Sequence, residues 1–331
     1  MFRLDRIRFL GEDLNRPECV LTTSNGRIYC SDWNGGVAII EKNGHQFSIL
    51  ATDCSFDLKP NGISLLDNGD FLIAHLGNED GGVYRLSSNG QLTPFLTEIN
   101  GEPLPPTNYV HLDFQGRIWI TVSTRTKPRA EAYRSTIQDG FIILVDQGKA
   151  RIVADHLGYT NECIVSPDGK YLYVNETFSR RLTRFTVAEN GDLNDKTTIT
   201  TFGKGIYPDG LVFDQEGAFW ITSIVSNQVI RVAADGQSQE TMLIDVDEDH
   251  LTWVEEAFQN HSMGRPHLDN VKSQVLKNIS SLAFGGDDHK TLYLGCLLGH
   301  QVATLTQDCA GLAPSHWNFT GPSEPKLSIG E

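Results

Sequence analysis

A short sequence unit recurs along the chain, and this repetition constrains the fold more than any other feature. Its clearest copy, residues 207–221, contains an apolar segment, a turn at Gly217 and a second segment rich in aromatic and β-branched residues. The copies begin near the polar residues Glu18, Asn61, Asn108, Asn161, Asp209 and Ser281. Such self-similarity is typical of repeat folds, in which each unit buries its apolar faces only against its neighbours.

Each copy carries the pattern of four short β-strands. Two strands flank the turn, residues 228–232 illustrate the third strand, and residues 151–154 illustrate the fourth. The starting residues are separated by 43, 47, 53, 48 and 72 residues, and the first four gaps suit a four-stranded blade. The sequence therefore predicts an all-β chain, with one six-bladed β-propeller of four-stranded blades over residues 1–320. Residues 3–9 are expected to complete the last blade, which removes a free sheet edge.

Two segments interrupt the repeats. Residues 245–274 lengthen the last gap, and apolar residues at helical spacing within 251–258 predict a short helix followed by a loop. Residues 123–137 carry several basic side chains and no strand pattern. Both segments suit either surface decoration or a lid or binding loop. The polar residues 321–331 are predicted to form a C-terminal tail.

Composition and charge argue against several function classes. A formal net charge of -15 and a pI of about 5.0 oppose binding to nucleic acid or to an anionic membrane. The charged residues 1–6 resemble neither a secretory signal nor a membrane span. Six cysteines are scattered without a C-x-x-C pair, which predicts free thiols in a reducing cytosol and hence a cytoplasmic protein. No sequence feature indicates an oligomeric state.

The polar residues that open the repeats are candidate ligands of a cation. In a propeller the innermost strands line a central channel, so six equivalent residues converge at one mouth of it. These six residues form the predicted ring, which consists of Glu18, Asn61, Asn108, Asn161, Asp209 and Ser281. All six offer oxygen, which suits Ca²⁺ and, less readily, Mg²⁺ or Mn²⁺, whereas Zn²⁺ usually recruits nitrogen or sulfur. Each Asn or Asp alone is also an ordinary turn residue, but the mixture of residue types at one repeat position favours a site.

Several segments also carry motifs of a known family. They are Lys59-Pro60-Asn61-Gly62-Ile63, residues 166–174, Pro208-Asp209-Gly210-Leu211 with Asp214 and Gly217, and residues 283–293. Together they resemble the SMP-30/gluconolactonase/luciferin-regenerating-enzyme (LRE) family over essentially the whole chain. The resemblance implies a six-bladed propeller with one divalent cation near the top of the channel. It also implies hydrolysis of sugar lactones, other esters or organophosphates.

The resemblance assigns roles to individual residues. Glu18, Asn161 and Asp209 match metal ligands of the family, and Asn108 matches a further ligand found in many members. Asp209 is the preferred catalytic base that takes a proton from water, with Glu18 as the alternative. The reaction type and the metal site are therefore expected to be retained.

Departures from the family pattern fall at the rim of the predicted site. Tyr109 stands where many members have Asp, Glu162 stands where many have Gly, and Cys19-Val20 replace a Gly-Pro pair. We expect the altered rim to change the substrate more than the reaction. The Arg that grips polyhydroxylated lactones in some members has no evident counterpart, and its candidate replacements are Arg125, Arg129 and Arg134.

Other side chains are candidates to contact a substrate. They are Asn61, Trp33, His75, Tyr109, Glu162, Ser281 and His300. His75 and His300 end comparable strands and could shuttle protons, although a solvated or hydrogen-bonded histidine is the alternative. Ser281 has no convergent histidine that would make it a nucleophile, so it is interpreted as a polar channel residue.

Three functions remain open at the level of sequence. The first is metal-dependent hydrolysis of a small-molecule lactone or related ester by a cation-activated water. Two carboxylates would balance one divalent ion and leave a neutral pocket for a neutral or singly anionic ester. The second is a lyase, isomerase or condensing enzyme on the same scaffold. The third is a binding propeller without catalysis. A ring without carboxylates, or an exposed apolar face at the top of the propeller, would indicate this function. The sequence suggests neither feature.

Overall fold

Six four-stranded antiparallel sheets surround a central channel in the computed structural model, which describes residues 1–325. The predicted all-β, six-bladed propeller is confirmed.

The blades follow one another along the chain. Blade 1 contains β2 (Val20–Thr22), β3 (Ile28–Asp32), β4 (Gly36–Ile40) and β5 (Gln46–Leu50), and blade 2 contains β6 (Pro60–Leu65), β7 (Phe71–His75), β8 (Val83–Leu86) and β9 (Leu92–Leu96). Blade 3 contains β12 (Thr107–Leu112), β13 (Ile118–Val122), β14 (Gly140–Asp146) and β15 (Lys149–Leu157), and blade 4 contains β16 (Thr160–Val165), β17 (Tyr171–Glu176), β18 (Arg181–Val187) and β19 (Leu193–Thr201). Blade 5 contains β20 (Tyr207–Phe213), β21 (Phe219–Ile224), β22 (Gln228–Val232) and β23 (Gln239–Ile244), and blade 6 contains β24 (Ile279–Gly285), β25 (Thr291–Cys296), β26 (Val302–Thr306) and β1 (Arg8–Leu10).

Short elements connect the blades. A hairpin of β10 (Glu98–Ile99) and β11 (Glu102–Pro103) links blades 2 and 3, and 3₁₀ turns cover Leu4–Arg6 and Arg129–Ala132. Helices α1 (Glu248–Gln259) and α2 (Arg265–Asp269) lie in the insertion between blades 5 and 6. None of the helices within residues 1–325 is long and apolar enough to cross a membrane.

Blade 6 is closed by the N-terminal end of the chain. Strand β1 pairs antiparallel with β26, with Arg8 opposite Thr304 and Leu10 opposite Val302. The closing strand begins later than residues 3–9 would suggest, because a 3₁₀ turn occupies Leu4–Arg6. This pairing covers an edge that would otherwise offer unpaired N–H and C=O groups.

The inner and middle strands are buried on both faces, which explains their continuous apolar sequence. Every residue of β4 and β7 is buried, whereas the outermost strand β9 is mostly exposed. The apolar core lies between neighbouring blades, as when Tyr29 of blade 1 packs on Phe71 of blade 2 with ring centroids 5.8 Å apart.

An aspartate fixes the turn between the first two strands in blades 3 and 5. Asp214 Oδ1 accepts two backbone N–H bonds from its turn, while Oδ2 accepts from Trp220 Nε1 at 3.0 Å and from Arg231 Nε at 2.8 Å. Asp113 makes the equivalent contacts in blade 3, including a 2.9 Å bond from Trp119 Nε1. Burial alone would raise the pKa of Asp214, but the bonds from Trp220 and Arg231 outweigh it and the pKa is lowered.

We expect Asp214→Asn to lower the free energy of unfolding by about 2–3 kcal/mol, because an amide group cannot accept both sets of bonds. Since folding depresses the pKa of Asp214, its contribution is present above about pH 4 and disappears as the pH falls through the folded pKa. Urea unfolding near neutral pH and at acidic pH measures both effects. Asp67→Asn is the control, because Asp67 is an exposed turn residue of blade 2; equal midpoints for the two variants would contradict this role.

The last described residues run along blade 1. Trp317 O accepts from the Ser24 N–H at 2.8 Å, and Pro322 O accepts from Arg27 Nη1 at 2.6 Å. Residues 326–331 of the predicted tail lie outside the described residues. The six cysteines are free thiols, as the sequence predicts.

Candidate active site at one mouth of the channel

The inner strands of blades 2–6 begin with an irregular step that brings a polar residue to the channel. In blade 4 the pairing of β16 is interrupted between Thr160 and Cys163, so Asn161 and Glu162 fall within a β-bulge. Equivalent steps in the other blades contain Asn61, Asn108, Asp209 and Ser280. Bulges re-aim side chains and are frequent next to active sites.

The register of blade 6 corrects the predicted ring by one residue. Ser280 is the counterpart of Asn161, and Ser281 is the counterpart of Glu162. Ser281 therefore lies one residue deeper in the channel than predicted, where its hydroxyl partly offsets the rise that burial causes in the pKa of Glu162. Ser280 Oγ instead donates to Glu18 O at 3.0 Å, and so joins blade 6 to blade 1. Because Ser280 and Ser281 are adjacent and both fit the repeat pattern, the sequence leaves the ring position of blade 6 ambiguous by one residue.

Five ring side chains line one cavity at this mouth of the channel: Glu18, Asn61, Asn108, Asn161 and Asp209. The most exposed of them, Glu18, is only 7% exposed. Asn61 joins three blades, since its Nδ2 donates to Glu18 Oε1 and to Asn108 O, both at 2.9 Å. Asn161 Nδ2 donates to Thr177 Oγ1 at 3.1 Å, which ties the ring to the next strand of blade 4.

These bonds leave oxygen atoms of the ring without partners. Because the Nδ2 atoms of Asn61 and Asn161 face acceptors, their Oδ1 atoms are the ends that need a positive group. Within residues 1–325 the buried ring oxygens without a hydrogen-bond donor are Glu18 Oε2, Asn61 Oδ1, Asn108 Oδ1 and Asn161 Oδ1. A buried polar atom without a partner costs about 1–3 kcal/mol, so four of them in one cavity fit a hard cation.

Amide oxygens are essential to any such cation site. The described chain contains no group of three or more His, Cys, Asp or Glu side chains placed to hold a metal. The donor set here is therefore mixed, with carboxylates from Glu18 and Asp209 and neutral amides from the other ring members. Oxygen ligands of this mixed kind are typical of Ca²⁺.

Burial raises the pKa of the three carboxyl groups in and below the ring. The pKa of Glu18 rises to about 7 and that of Glu162 to about 8. Burial raises the pKa of Asp209 well above its usual range, and the charges of Glu18 and Glu162 add to the effect. Arg16 and Arg129 oppose the shift at Glu18 and Asp209. Positive charge at the ring therefore favours ionised carboxylates.

The family follows from a match that covers most of the chain. Residues 16–254 match the model described as SMP-30/Gluconolactonase/LRE-like region, and this segment includes all five ring side chains of the cavity. The chain belongs to this family. The predicted resemblance is thereby confirmed.

Individual relatives share limited identity with this SMP-30-like chain. A 6-deoxy-6-sulfogluconolactonase of Pseudomonas putida is 26% identical over 234 residues, which is 70% of this chain and 66% of that protein, just under two thirds of its length. A gluconolactonase structure from Xanthomonas campestris has a TM-score of 0.64 at 19% identity, covering 92% of this chain and 91% of the other. Regucalcin from Agrobacterium tumefaciens, described as a calcium-binding protein, has a TM-score of 0.64 at 16% identity, covering 96% and 98%. At such identities the two structures show a shared fold.

Of the seven predicted contact residues of this SMP-30-like chain, Asn61 lines the cavity and the other six do not. Trp33 lies beneath Arg16, whose Cζ is 4.5 Å from the ring centroid, and donates its Nε1–H to a backbone carbonyl of blade 2 at 3.0 Å. His75 is buried and its Nδ1 accepts from the Lys59 N–H at 3.1 Å. His300 Nδ1 bonds to a backbone carbonyl at 2.8 Å, and its side chain borders a separate surface groove.

The altered rim residues lie deeper in the channel than the ring. Glu162 Oε2 accepts from the Leu211 N–H at 2.9 Å. Tyr109 borders an apolar cavity at the opposite end of the channel, and burial next to Glu162 raises the pKa of its hydroxyl well above the usual range. The departures from the family pattern therefore change the packing below the ring.

Three arginines line the cavity, and the sequence indicated one of them. Arg129 comes from residues 123–137, the excursion between the second and third strands of blade 3, while Arg125 and Arg134 of the same segment pair with carboxylates on the outer surface. Arg16 and Arg265 were not predicted. Arg265 lies on α2, beyond the residues that match the family. Its position follows from the fold of an insertion that carries no repeat pattern.

Aromatic side chains form one wall of the cavity. Tyr133, Tyr159 and Phe178 pack against one another with centroid distances between 4.7 and 5.5 Å. The Tyr159 hydroxyl accepts from Arg129 Nε at 3.0 Å and from Arg129 Nη2 at 2.6 Å. The wall is built by the excursion of blade 3 together with blade 4, so the excursion is part of the site.

A buried glutamate fixes the insertion to the top of blades 4 and 5. Glu255 of α1 is 1% exposed and pairs with Arg180. Its Oε1 also accepts from the Tyr207 hydroxyl at 2.7 Å and from the Gly205 N–H at 2.9 Å. This docking holds the adjoining α2, and with it Arg265, beside the cavity.

We expect Glu255→Ala to release the insertion without unfolding the propeller. Removal of the carboxylate leaves the partly buried Arg180 charge and the buried Tyr207 hydroxyl without their acceptor, which should lower the local opening free energy by about 2 kcal/mol or more. Hydrogen exchange followed by mass spectrometry should then show faster exchange over residues 248–269 and unchanged exchange over residues 207–224. Glu256→Ala, at the adjacent exposed position, is the control. Unchanged exchange in Glu255→Ala would refute the docking role.

Proposed function

We propose that the protein hydrolyses a lactone, with sugar lactones as the first candidates. The observation that carries the proposal is the ring, where two buried carboxylates and three amide side chains meet in one cavity and four of their oxygens lack partners. Family membership and the name of the Pseudomonas putida relative support the same reaction. A binding propeller without catalysis has less support, because the ring contains carboxylates.

The ring would hold one divalent cation, with Ca²⁺ as the first choice. Glu18, Asn108, Asn161 and Asp209 would supply its oxygen ligands, and Asn61 would contact the cation or a water beside it. When bound, the cation supplies Lewis-acid polarisation of the lactone carbonyl and of a water molecule. The name of the regucalcin relative supports calcium over Mg²⁺, Mn²⁺ and Zn²⁺.

The chain's own residues would manage the proton and exclude bulk water. Asp209 lies in the cavity beside the other proposed ligands, so its ionised carboxylate can take a proton from the attacking water. The same carboxylate can return that proton to the ester oxygen of the lactone, which becomes a hydroxyl group when the lactone opens. The aromatic wall of Tyr133, Tyr159 and Phe178 would orient the substrate and keep the cavity apolar on one side.

Calcium should bind to the ring and stabilise the folded chain. We expect a calcium titration of chelator-treated protein by calorimetry to give one site, with a higher unfolding temperature in its presence. Asn108→Ala should weaken binding by about tenfold or more, because it removes a neutral ligand oxygen. Asn43→Ala, in an exposed turn of blade 1, is the control and should bind normally. Identical affinities for both variants would exclude Asn108 as a ligand.

Two charge-removing variants should separate proton transfer from cation binding. Asp209→Asn keeps one ligand oxygen but cannot take a proton, so turnover of gluconolactone should fall at least about a hundredfold with the fold intact. Glu18→Gln leaves the proposed base in place and mainly weakens cation affinity. Excess calcium should therefore partly restore Glu18→Gln and leave Asp209→Asn inactive. Equal rescue of both, or full wild-type activity in chelator, would argue against this mechanism. Cation binding without any lactone turnover would favour a different reaction on the same ring.

A further inference from the structure

Two arginines that face the cavity form no ion pair with a carboxylate of residues 1–325. Most arginines of the described chain pair with Asp or Glu within 4.0 Å, as Arg125 does with Asp155. No such pair forms at Arg16 or Arg129 within residues 1–325. Arg129 donates only to the Tyr159 hydroxyl, and the buried Nε of Arg16 has no hydrogen-bond partner in this part of the chain. Unpaired guanidinium groups in a cavity are unusual, because burying a charge without a partner is costly.

The backbone projects Arg16 toward the ring. Arg16 lies two residues before Glu18 and has a φ of 51°, and Tyr159 lies two residues before Asn161 and has a φ of 66°. The left-handed conformation is unfavourable for residues with a Cβ atom and tends to persist at functional sites. The face of Trp33 supports the Arg16 guanidinium from below. Arg16 is therefore held in position although it forms no ion pair within 4.0 Å among residues 1–325.

The third arginine strengthens the positive field at the cavity. Arg265 pairs with Asp269 and lines the same cavity as Tyr133. Burial would raise the pKa of Tyr133, but the charges of Arg129 and Arg265 outweigh it and the pKa is lowered. The cavity therefore carries arginine charge on its lining, although the formal net charge of the whole chain is -15.

We infer that Arg16 and Arg129 bind a tetrahedral oxyanion group carried by the substrate, such as a phosphate or a sulfonate. The assignment rests on the proposed lactone hydrolysis and names its substrate class as an anionic sugar lactone. The planar guanidinium offers paired N–H donors that match the oxygens of such a group. Two carboxylates and one divalent cation alone would leave the pocket neutral. The two unpaired arginines add positive charge, so the pocket suits an anionic substrate.

The alternative role of these arginines is to balance Glu18 and Asp209, whose pKa values they both lower. Charge balance acts on every substrate alike, because it alters the carboxylates and the cation affinity. Direct binding of an oxyanion instead acts only on substrates that carry one. A comparison of matched charged and neutral lactones therefore separates the two roles.

The test measures kcat/KM for gluconolactone, its 6-phosphate and its 6-sulfonate, together with calorimetric binding of 6-phosphogluconate. Arg129→Gln and Arg16→Gln are compared with Arg125→Gln, which removes the same charge from the outer surface of the same protein. We expect wild type to prefer an anionic lactone, and each cavity variant to reduce that preference by about tenfold or more. The dissociation constant of 6-phosphogluconate should rise by a similar factor. Arg125→Gln should match wild type in all assays, and circular dichroism checks the fold of each variant.

The two anionic lactones distinguish a phosphate from a sulfonate as the natural group. A wild type that shows no preference for either anion, or cavity variants that slow all three lactones equally, would overturn the inference while leaving lactone hydrolysis intact. If the wild type opens none of the lactones, the proposed function fails instead. In that case 6-phosphogluconate binding decides alone: weaker binding by Arg129→Gln supports the oxyanion site, and equal binding or none rejects it.

Discussion

Side-chain bonds to the neighbouring blade hold the inner strands in place around the channel. Inner strands of adjacent blades do not pair, so carbonyl groups that point sideways need donors from side chains. Ser64 Oγ donates to Val110 O at 2.8 Å, and Thr160 Oγ1 donates to Val122 O at 2.7 Å. Asn175 Nδ2 donates to Asp209 O at 3.0 Å. These small polar residues tie the inner strands of blades 2–5 to their neighbours, and the positions of the ring residues depend on those strands.

The same bonds determine the chemistry of the ring. When Asn61 uses its amide nitrogen to join blades, its oxygen is left facing the cavity. Close packing of the inner strands also removes water from Glu18 and Asp209, which raises their pKa values. A cluster of oxygens without donors is therefore a direct product of how the blades are joined. The amide nitrogen of Asn61 therefore contributes to stability by joining blades, and its amide oxygen is available to the proposed site.

The sequence predicts the repeated parts of the molecule well and the irregular parts poorly. Glycine turns and strand patterns identify six blades, and the position of Asn161 in its repeat is enough to place it at the channel. A one-residue ambiguity between Ser280 and Ser281 survives because either serine fits the pattern, and only strand register resolves it. His75 ends β7 as expected, but its side chain turns to the Lys59 N–H, and strand periodicity does not show which way a terminal side chain turns. His300 is expected at a comparable strand end and instead lies in the loop between β25 and β26.

Residues outside the repeats have no periodic signal that could place them. Arg265 reaches the cavity because Glu255 fixes α1 to blades 4 and 5, and that contact joins residues far apart in the chain. Arg16 depends on a left-handed backbone position, which the sequence does not encode through a glycine. Both arginines are long-range products of the fold, so they emerge only once the blades are assembled.

Closure of blade 6 by both ends of the chain has a consequence for biosynthesis. Glu18 leaves the ribosome well before its neighbour Ser280, which follows it by 262 residues, and before β26, the strand that pairs with β1. The nascent chain can build blades one at a time, but the two carboxylates share a complete ring only after β26 has emerged. A translation product that stops before β26 therefore carries the five ring residues but lacks the closed propeller that brings them together.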